Sequence, residues 1–172
     1  MSLVFKLQVD HLNHSLSAVR RALENKPELL GNVGDSLLRV NHDRHLNELD
    51  PDGKRWKELS ALSKLGKRNG GILHRSGRML NSLKHEDKGD TLTLFFDGAT
   101  DAQRAAWHHS GTKPYVINPR NKKALAFAGI VRKRVNHPGL PSRKLVGFPE
   151  SDRQLAETVV GDYLTTILKS VR

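Results

Sequence analysis

An apolar stripe near the C-terminal end places the strongest requirement on the fold. From Ser151 onward, apolar side chains recur at intervals of three and four residues, which is the spacing of one helical face. Each side chain that is fully buried would contribute about 1.5–3 kcal/mol before chain entropy is subtracted. The segment therefore predicts a long amphipathic helix, packed in the core or at a subunit interface, with this face: Leu155, Val159, Val160, Leu164, Ile167, Leu168 and Val171.

Two further helices are predicted at the start of the chain. The first covers residues 9–25, whose apolar residues are spaced by four, three and four: Leu12, Leu16, Val19 and Leu23. Pro27 should end it, and a second helix is predicted over 35–49 with Asp35 or a neighbour as its N-cap. The pair predicts a helical hairpin, residues 1–49, that forms an N-terminal arm on a core domain, residues 50–172.

The middle of the chain predicts short elements separated by turns. Helical spacing returns over residues 72–83, and a polar turn at 86–90 leads into Thr91–Phe96, a segment rich in β-formers. A short helix over 102–109, a loop over 110–121 and a hairpin of two strands over 122–127 and 129–135 complete this region. The order predicts an α+β fold with a small antiparallel sheet, and it disfavours a doubly wound parallel sheet.

Positive charge is concentrated in the middle of the sequence. The 172 residues include 29 Lys and Arg against 18 Asp and Glu, a net charge of +11. Residues 52–144 hold 20 basic and 7 acidic residues, a local charge of +13, whereas the two ends together carry −2. Such a block attracts polyanions through long-range electrostatics and counterion release. Nucleic acid and an acidic protein surface would both fit it.

The best candidate contacts for a polyanion or an acidic partner are basic residues that lie in pairs or triplets or beside glycines. Trp56, Trp107 and Tyr115 are candidate stacking partners for bases. The alternative interpretation is an ordinary solvated basic face. The candidate set is Lys67, Arg68, Arg75, Arg78, Lys122, Lys123, Arg132, Lys133, Arg134, Arg143 and Lys144.

Composition also excludes several classes of function. The chain has no cysteine, so it can form no disulfide, thiol nucleophile or cysteine-based zinc site. It has no apolar run of the roughly 18–20 residues that span a bilayer, and its first residues lack the pattern of a signal peptide. We therefore expect a cytoplasmic protein with no membrane partner.

Histidines and one serine are the remaining candidates for chemistry. His42 and His45 are spaced to share a helical face, but no carboxylate lies at a recognisable spacing for the third ligand that zinc needs. Ser110 lies beside His109, yet the Gly-x-Ser-x-Gly pattern is absent. We therefore predict no metal, no cofactor and no catalytic residue, and a protein that is not an enzyme.

Four turn-rich segments, residues 50–56, 73–79, 106–112 and 136–143, follow one another in a recognisable order. They read Pro-Asp-Gly-x-x-Trp, Leu-x-x-Ser-Gly-Arg, Ala-x-x-His-x-Gly-Thr and Pro-Gly-x-Pro-Ser-Arg. Together they resemble the phage virion morphogenesis and tail-completion family of the Mu-like prophage type. The residues that carry the resemblance are Asp52, Gly53, Trp56, Ser76, Gly77, Arg78, His109, Gly111, Pro138, Gly139, Pro141 and Arg143.

The resemblance implies a structural protein that completes the tail or neck for head–tail joining. It further implies a ring-like homo-oligomer, partners among other phage tail or neck proteins, and a location in the host cytoplasm during assembly and then in the virion. One segment departs from the family pattern, because residues 144–148 lack the proline and aromatic residue that often follow the motif arginine. The alternative function is a basic nucleic-acid-binding module centred on residues 122–144.

Overall fold

A computed structural model describes residues 10–65, 71–127 and 129–170. The predicted α+β class is confirmed, with N-terminal helices, small antiparallel sheets, short helices and a long C-terminal helix. The helices are α1 (Asp10–Glu24), α2 (Lys26–Leu46), α3 (Ala61–Leu65), α4 (Arg78–Asn81), α5 (Ala99–Ser110) and α6 (Glu150–Ser170). The strands are β1 (Leu83–Lys88), β2 (Thr91–Phe96), β3 (Tyr115–Ile117), β4 (Leu125–Phe127), β5 (Ile130–Arg132) and β6 (Val135–His137).

The chain divides into two compact units, each built from separate stretches of sequence. The helical unit comprises Met1–Leu37, His85–Thr93 and Glu150–Arg172. The motif unit comprises Leu38–Lys84 and Leu94–Pro149. The predicted N-terminal arm, residues 1–49, and core domain, residues 50–172, forming one structural unit, stay a prediction.

In the helical unit, α1 packs against α6 through small side chains. Ala18 and Ala22 are buried on α1, and their size lets two helix backbones approach closely. The leucine stripe that predicted α1 faces outward instead, since Leu12, Leu16 and Leu23 are 54%, 57% and 44% exposed. The apolar face of α6 is mostly half-buried, and only Asp152 is fully buried on that helix. Both helices exist as predicted, and both keep apolar surface exposed.

The second helix begins nine residues earlier than predicted. Pro27 lies in its first turn, where a missing amide donor costs little because those amides have no helical partner. Asp35 is therefore inside α2 rather than at an N-cap, and its carboxylate lies 3.0 Å from Nε2 of His85. Gly34 gives that imidazole room, because a Cβ there would collide with the His85 ring.

The region after residue 72 contains less helix than predicted. Only Arg78–Asn81 is helical, and the buried Leu83 already begins β1. The predicted polar turn over 86–90 is confirmed only at Gly89 and Asp90, since β1 runs to Lys88. A strand as polar as β1 carries little hydrophobic signal, so its pairing with β2 defines it. The strand Thr91–Phe96 is confirmed residue for residue.

The motif unit has an apolar core formed by side chains far apart in sequence. Trp56, Ile72, Met79, Ala105 and Leu145 are buried together, and the partly buried Leu59, Leu73 and Phe96 pack against them. The predicted helix over 102–109 is confirmed as part of the longer α5. This core is mainly aliphatic, with Trp56 buried in it and Phe96 at its edge.

Residues 113–127 and 129–137, here called the β-arm, contain two consecutive antiparallel strand pairs. β3 pairs with β6 through Tyr115 and His137, Val116 and Asn136, and Ile117 and Val135. Further along, β4 pairs with β5, so the predicted hairpin over 122–127 and 129–135 exists but is shorter, and Val135 belongs to β6 instead. The predicted loop over 110–121 is wrong in part, because it contains β3. A three-residue strand whose partner lies about 20 residues away has no local sequence signal.

Candidate functional site: the motif cluster and the β-arm

All four family-like segments lie in the motif unit, and most of them are hydrogen-bonded to one another. The first is a closed turn in which the Asp50 carboxylate accepts the Lys54 amide at 2.8 Å and Gly53 adopts φ +77°. The turn leads directly to Trp56, whose indole Nε1 donates to the carbonyl of Lys144 at 3.0 Å. The first segment is thereby tied to the end of the fourth.

Arg143 makes the second link between these two segments. Its guanidinium donates to the carbonyls of Lys57, at 2.9 and 2.6 Å, and of Glu58, at 3.2 Å. The residue is only 4% exposed, and its own amide donates to the carbonyl of His108 at 2.7 Å. Burial lowers the pKa of the guanidinium, and the nearby Glu48 carboxylate opposes that shift.

The third and fourth segments are joined along their backbones. The Thr112 amide and the Leu140 carbonyl are 2.9 Å apart, and the Leu140 amide donates to the Thr112 hydroxyl at 2.9 Å. Glycine is required at this seam, because a Cβ on Gly139 would collide with the Thr112 carbonyl and one on Gly111 would lie 2.7 Å from the Leu140 carbonyl. Both glycines also have positive φ.

His109 is a structural residue in this arrangement. Its ring Nδ1 accepts the Leu145 amide at 3.2 Å, and its carbonyl accepts the Ser142 hydroxyl at 2.6 Å. The imidazole is therefore hydrogen-bonded to the backbone just after the fourth segment. This contact shows how residues 144–148 pack despite their departure from the family pattern, since Leu145 enters the core and Gly147 lies against Pro51.

The second segment is fixed by an ion pair to α5. Gly77 has φ +70°, and Arg78 begins α4 with its guanidinium 3.2 Å from Asp101. Asp101 is largely buried and also contacts Arg104 at 3.1 Å. Met79 then enters the apolar core, whereas Ser76 is exposed. The Arg78 guanidinium thus already forms an ion pair within its own chain.

A buried histidine adjoins Trp56. His45 is 3% exposed and meets the Trp56 ring edge to face, with ring centroids 5.0 Å apart. Burial lowers the pKa of His45 to about 4, with smaller contributions from His74 and His42. Within the described residues, no group of three or more His, Asp or Glu side chains is arranged to hold a metal ion.

The candidate polyanion residues occupy several different environments. Arg143 is buried and bonded to its own chain, so it is not available to a polyanion, and Lys144 lies 3.4 Å from Asp52. Arg75 is exposed, and Lys67 and Arg68 lie outside the described residues. Arg78 pairs with Asp101. The remaining five candidates lie on the β-arm, where all are exposed: Lys122, Lys123, Arg132, Lys133 and Arg134.

Glu48 was not predicted from the sequence, yet it is hydrogen-bonded to two separate parts of the motif unit. Its carboxylate accepts the Ile72 amide at 2.5 Å, and its carbonyl accepts the Trp56 amide at 2.8 Å. It adopts φ +59°, which is unusual for a residue with a side chain. A glutamate at a helix end gives no sequence signal for such a role.

Comparison with known protein families gave one match. A model of the phage virion morphogenesis family matches residues 7–165, nearly the whole chain. Neither the curated proteins nor the solved structures gave a match. In the part of the chain that the structure describes, no helix has the length and apolar character to cross a membrane. The extent of the family match shows that this chain belongs to the phage virion morphogenesis family.

Proposed function

We propose that this protein completes the phage tail or neck for head–tail joining, as a ring-like homo-oligomer docked on other tail or neck proteins. Membership of the virion morphogenesis family is the observation that carries the proposal. The protein would act without catalysis, in the host cytoplasm during assembly, and would remain in the virion. Its motif residues serve this role by holding one rigid unit together, since their hydrogen bonds are directed to the protein's own backbone.

The outward stripe of α1 supports self-association. Three leucines about half exposed on one helix form an apolar surface that water solvates poorly and a partner can cover. The sequence before α1 continues the same four-and-three spacing through Phe5 and Val9, so the pattern extends over nearly three heptads. Heptad spacing is typical of a seam that packs against another helix.

Charge distribution supports a head-to-tail arrangement of subunits. The helical unit carries 8 basic and 11 acidic residues, and the motif unit carries 21 basic and 7 acidic residues. A ring needs two different, complementary surfaces on each subunit. The acidic helical unit of one subunit would attract the basic motif unit of the next, and this attraction would orient the two subunits as they dock.

Light scattering across protein concentration tests the oligomer. We expect the mass to rise from the 19.3 kDa subunit to a plateau at a whole multiple, and to persist in high salt because the α1 seam is apolar. Leu16→Glu should lower the plateau mass, because it places a charge in the middle of the stripe.

Ser17→Glu is the matched control, since it adds the same charge to the same helix at an exposed polar position. It should leave the mass unchanged. A mass of one subunit at every concentration and salt, together with no co-purification of the tail proteins encoded beside this gene, would refute the proposed assembly role.

A further inference from the structure

The β-arm lies in a long stretch of sequence without a single carboxylate. Residues 102–149 contain no Asp or Glu, although they contain ten Lys and Arg. An ordinary solvated surface of mixed composition intersperses both signs of charge. Because these 48 residues carry only positive charges, no ion pair within the segment can reduce its positive potential.

The strand register gathers this charge at one place. Between the β3–β6 and β4–β5 pairs, residues 118–124 on one side of the arm lie opposite only Lys133 and Arg134 on the other side. The longer side is therefore a loop that carries Arg120, Lys122 and Lys123. Together with Arg132, these residues form the arm cluster: Arg120, Lys122, Lys123, Arg132, Lys133 and Arg134.

The arm cluster is exposed and lacks counter-charges. All six side chains are exposed, and none of them forms an ion pair with a carboxylate in the part of the chain that the structure describes. Six like charges along a two-stranded ribbon repel one another, so their proximity is unfavourable until an anion neutralises them. The arrangement therefore favours a ligand with closely spaced negative charges.

We propose that the β-arm binds double-stranded DNA through its phosphate backbone, without sequence preference. A two-stranded β-ribbon fits the major groove, and Lys and Arg are the main partners of backbone phosphates. An acidic protein partner fits less well, because DNA presents one negative charge per about 1.7 Å of its axis, and this close spacing matches the closely spaced charges of the arm cluster. The inference goes beyond tail completion and does not depend on oligomerisation, since one arm carries the whole cluster.

Anisotropy of a fluorescein-labelled random-sequence duplex, titrated with the full chain, tests the inference. The arm variant carries Lys122→Gln, Lys123→Gln, Lys133→Gln and Arg134→Gln. The control variant loses the same charge at exposed positions outside the arm, through Arg21→Gln, Lys54→Gln, Lys57→Gln and Lys169→Gln. Thermal melting of both variants verifies that each one folds.

We expect the wild-type affinity to fall steeply with salt, and the arm variant to lower the log–log slope by about 3–4 while binding at least about tenfold more weakly at about 100 mM salt. The control variant should retain most of the wild-type affinity and slope. Equal loss in the two variants, or no binding of the duplex by wild type at about 50 mM salt, would overturn the proposal. Binding of poly-L-glutamate in preference to the duplex would overturn it in favour of an acidic protein partner.

Discussion

Replacing Arg143 by methionine is expected to destabilise the protein by about 2–4 kcal/mol, because hydrogen bonds to charged groups contribute about 1.5–3 kcal/mol each. The substitution keeps an unbranched apolar stem but leaves the carbonyls of Lys57 and Glu58 without the donors that they have in the native structure. It also removes the link between the first and fourth segments of the motif unit. The free energy of unfolding, measured by circular dichroism in urea, gives the change directly.

Two other substitutions distinguish the effect of the Arg143 hydrogen-bond geometry on stability from the effect of its charge. Lys144→Met removes the same charge from an exposed neighbour and should change stability by no more than about 0.5 kcal/mol. Arg143→Lys keeps the charge but loses the planar fork, so it should fall between the wild type and the methionine variant. A loss below about 1 kcal/mol for Arg143→Met would show that the buried contacts contribute little.

Acidification is expected to remove about 3 kcal/mol of stability between pH 6.5 and pH 4, through His45. The pKa of this histidine is about 4 in the folded protein and near its ordinary value of 6.5 in the unfolded chain. In that window the unfolded chain binds more protons, so stability is fully present above pH 6.5 and falls as the pH is lowered. The cause is burial, since the His45 Nε2 atom has no hydrogen-bond partner among the described residues.

Urea titrations between pH 7.5 and pH 5 measure this effect, and the wild type should lose about 2 kcal/mol across that range. His45→Leu should flatten the pH profile. His14→Leu makes the same change at an exposed histidine on α1 and should keep the wild-type profile. An unchanged profile in His45→Leu would assign the acid sensitivity to other groups.

Strong local periodicity made several elements predictable. The C-terminal stripe predicted α6 to within one residue of its start, and the β-rich run predicted β2 without error. The direction in which a stripe faces was not predictable in the same way. On α1, the alanines face the protein and the leucines face outward, because close helix packing selects small apolar residues over large ones.

Long-range pairing was the part of the fold that the sequence could not give. β3 and β6 are three residues each and pair across the β-arm. Each strand is too short to show an alternation of apolar and polar residues. The same limit applies to the candidate site. Arg143 and Arg134 look alike in sequence, yet one is buried among backbone carbonyls and the other is exposed, and only the tertiary fold separates them.

Electron microscopy of lysates from a phage or prophage that lacks this gene tests the assembly role most directly. Particles are counted as complete virions, free filled heads or free tails, with and without a plasmid copy of the wild-type gene. We expect free heads and free tails to accumulate in place of virions, and the plasmid copy to restore joining. Complete virions at wild-type numbers in the absence of the gene would contradict a role in head–tail joining.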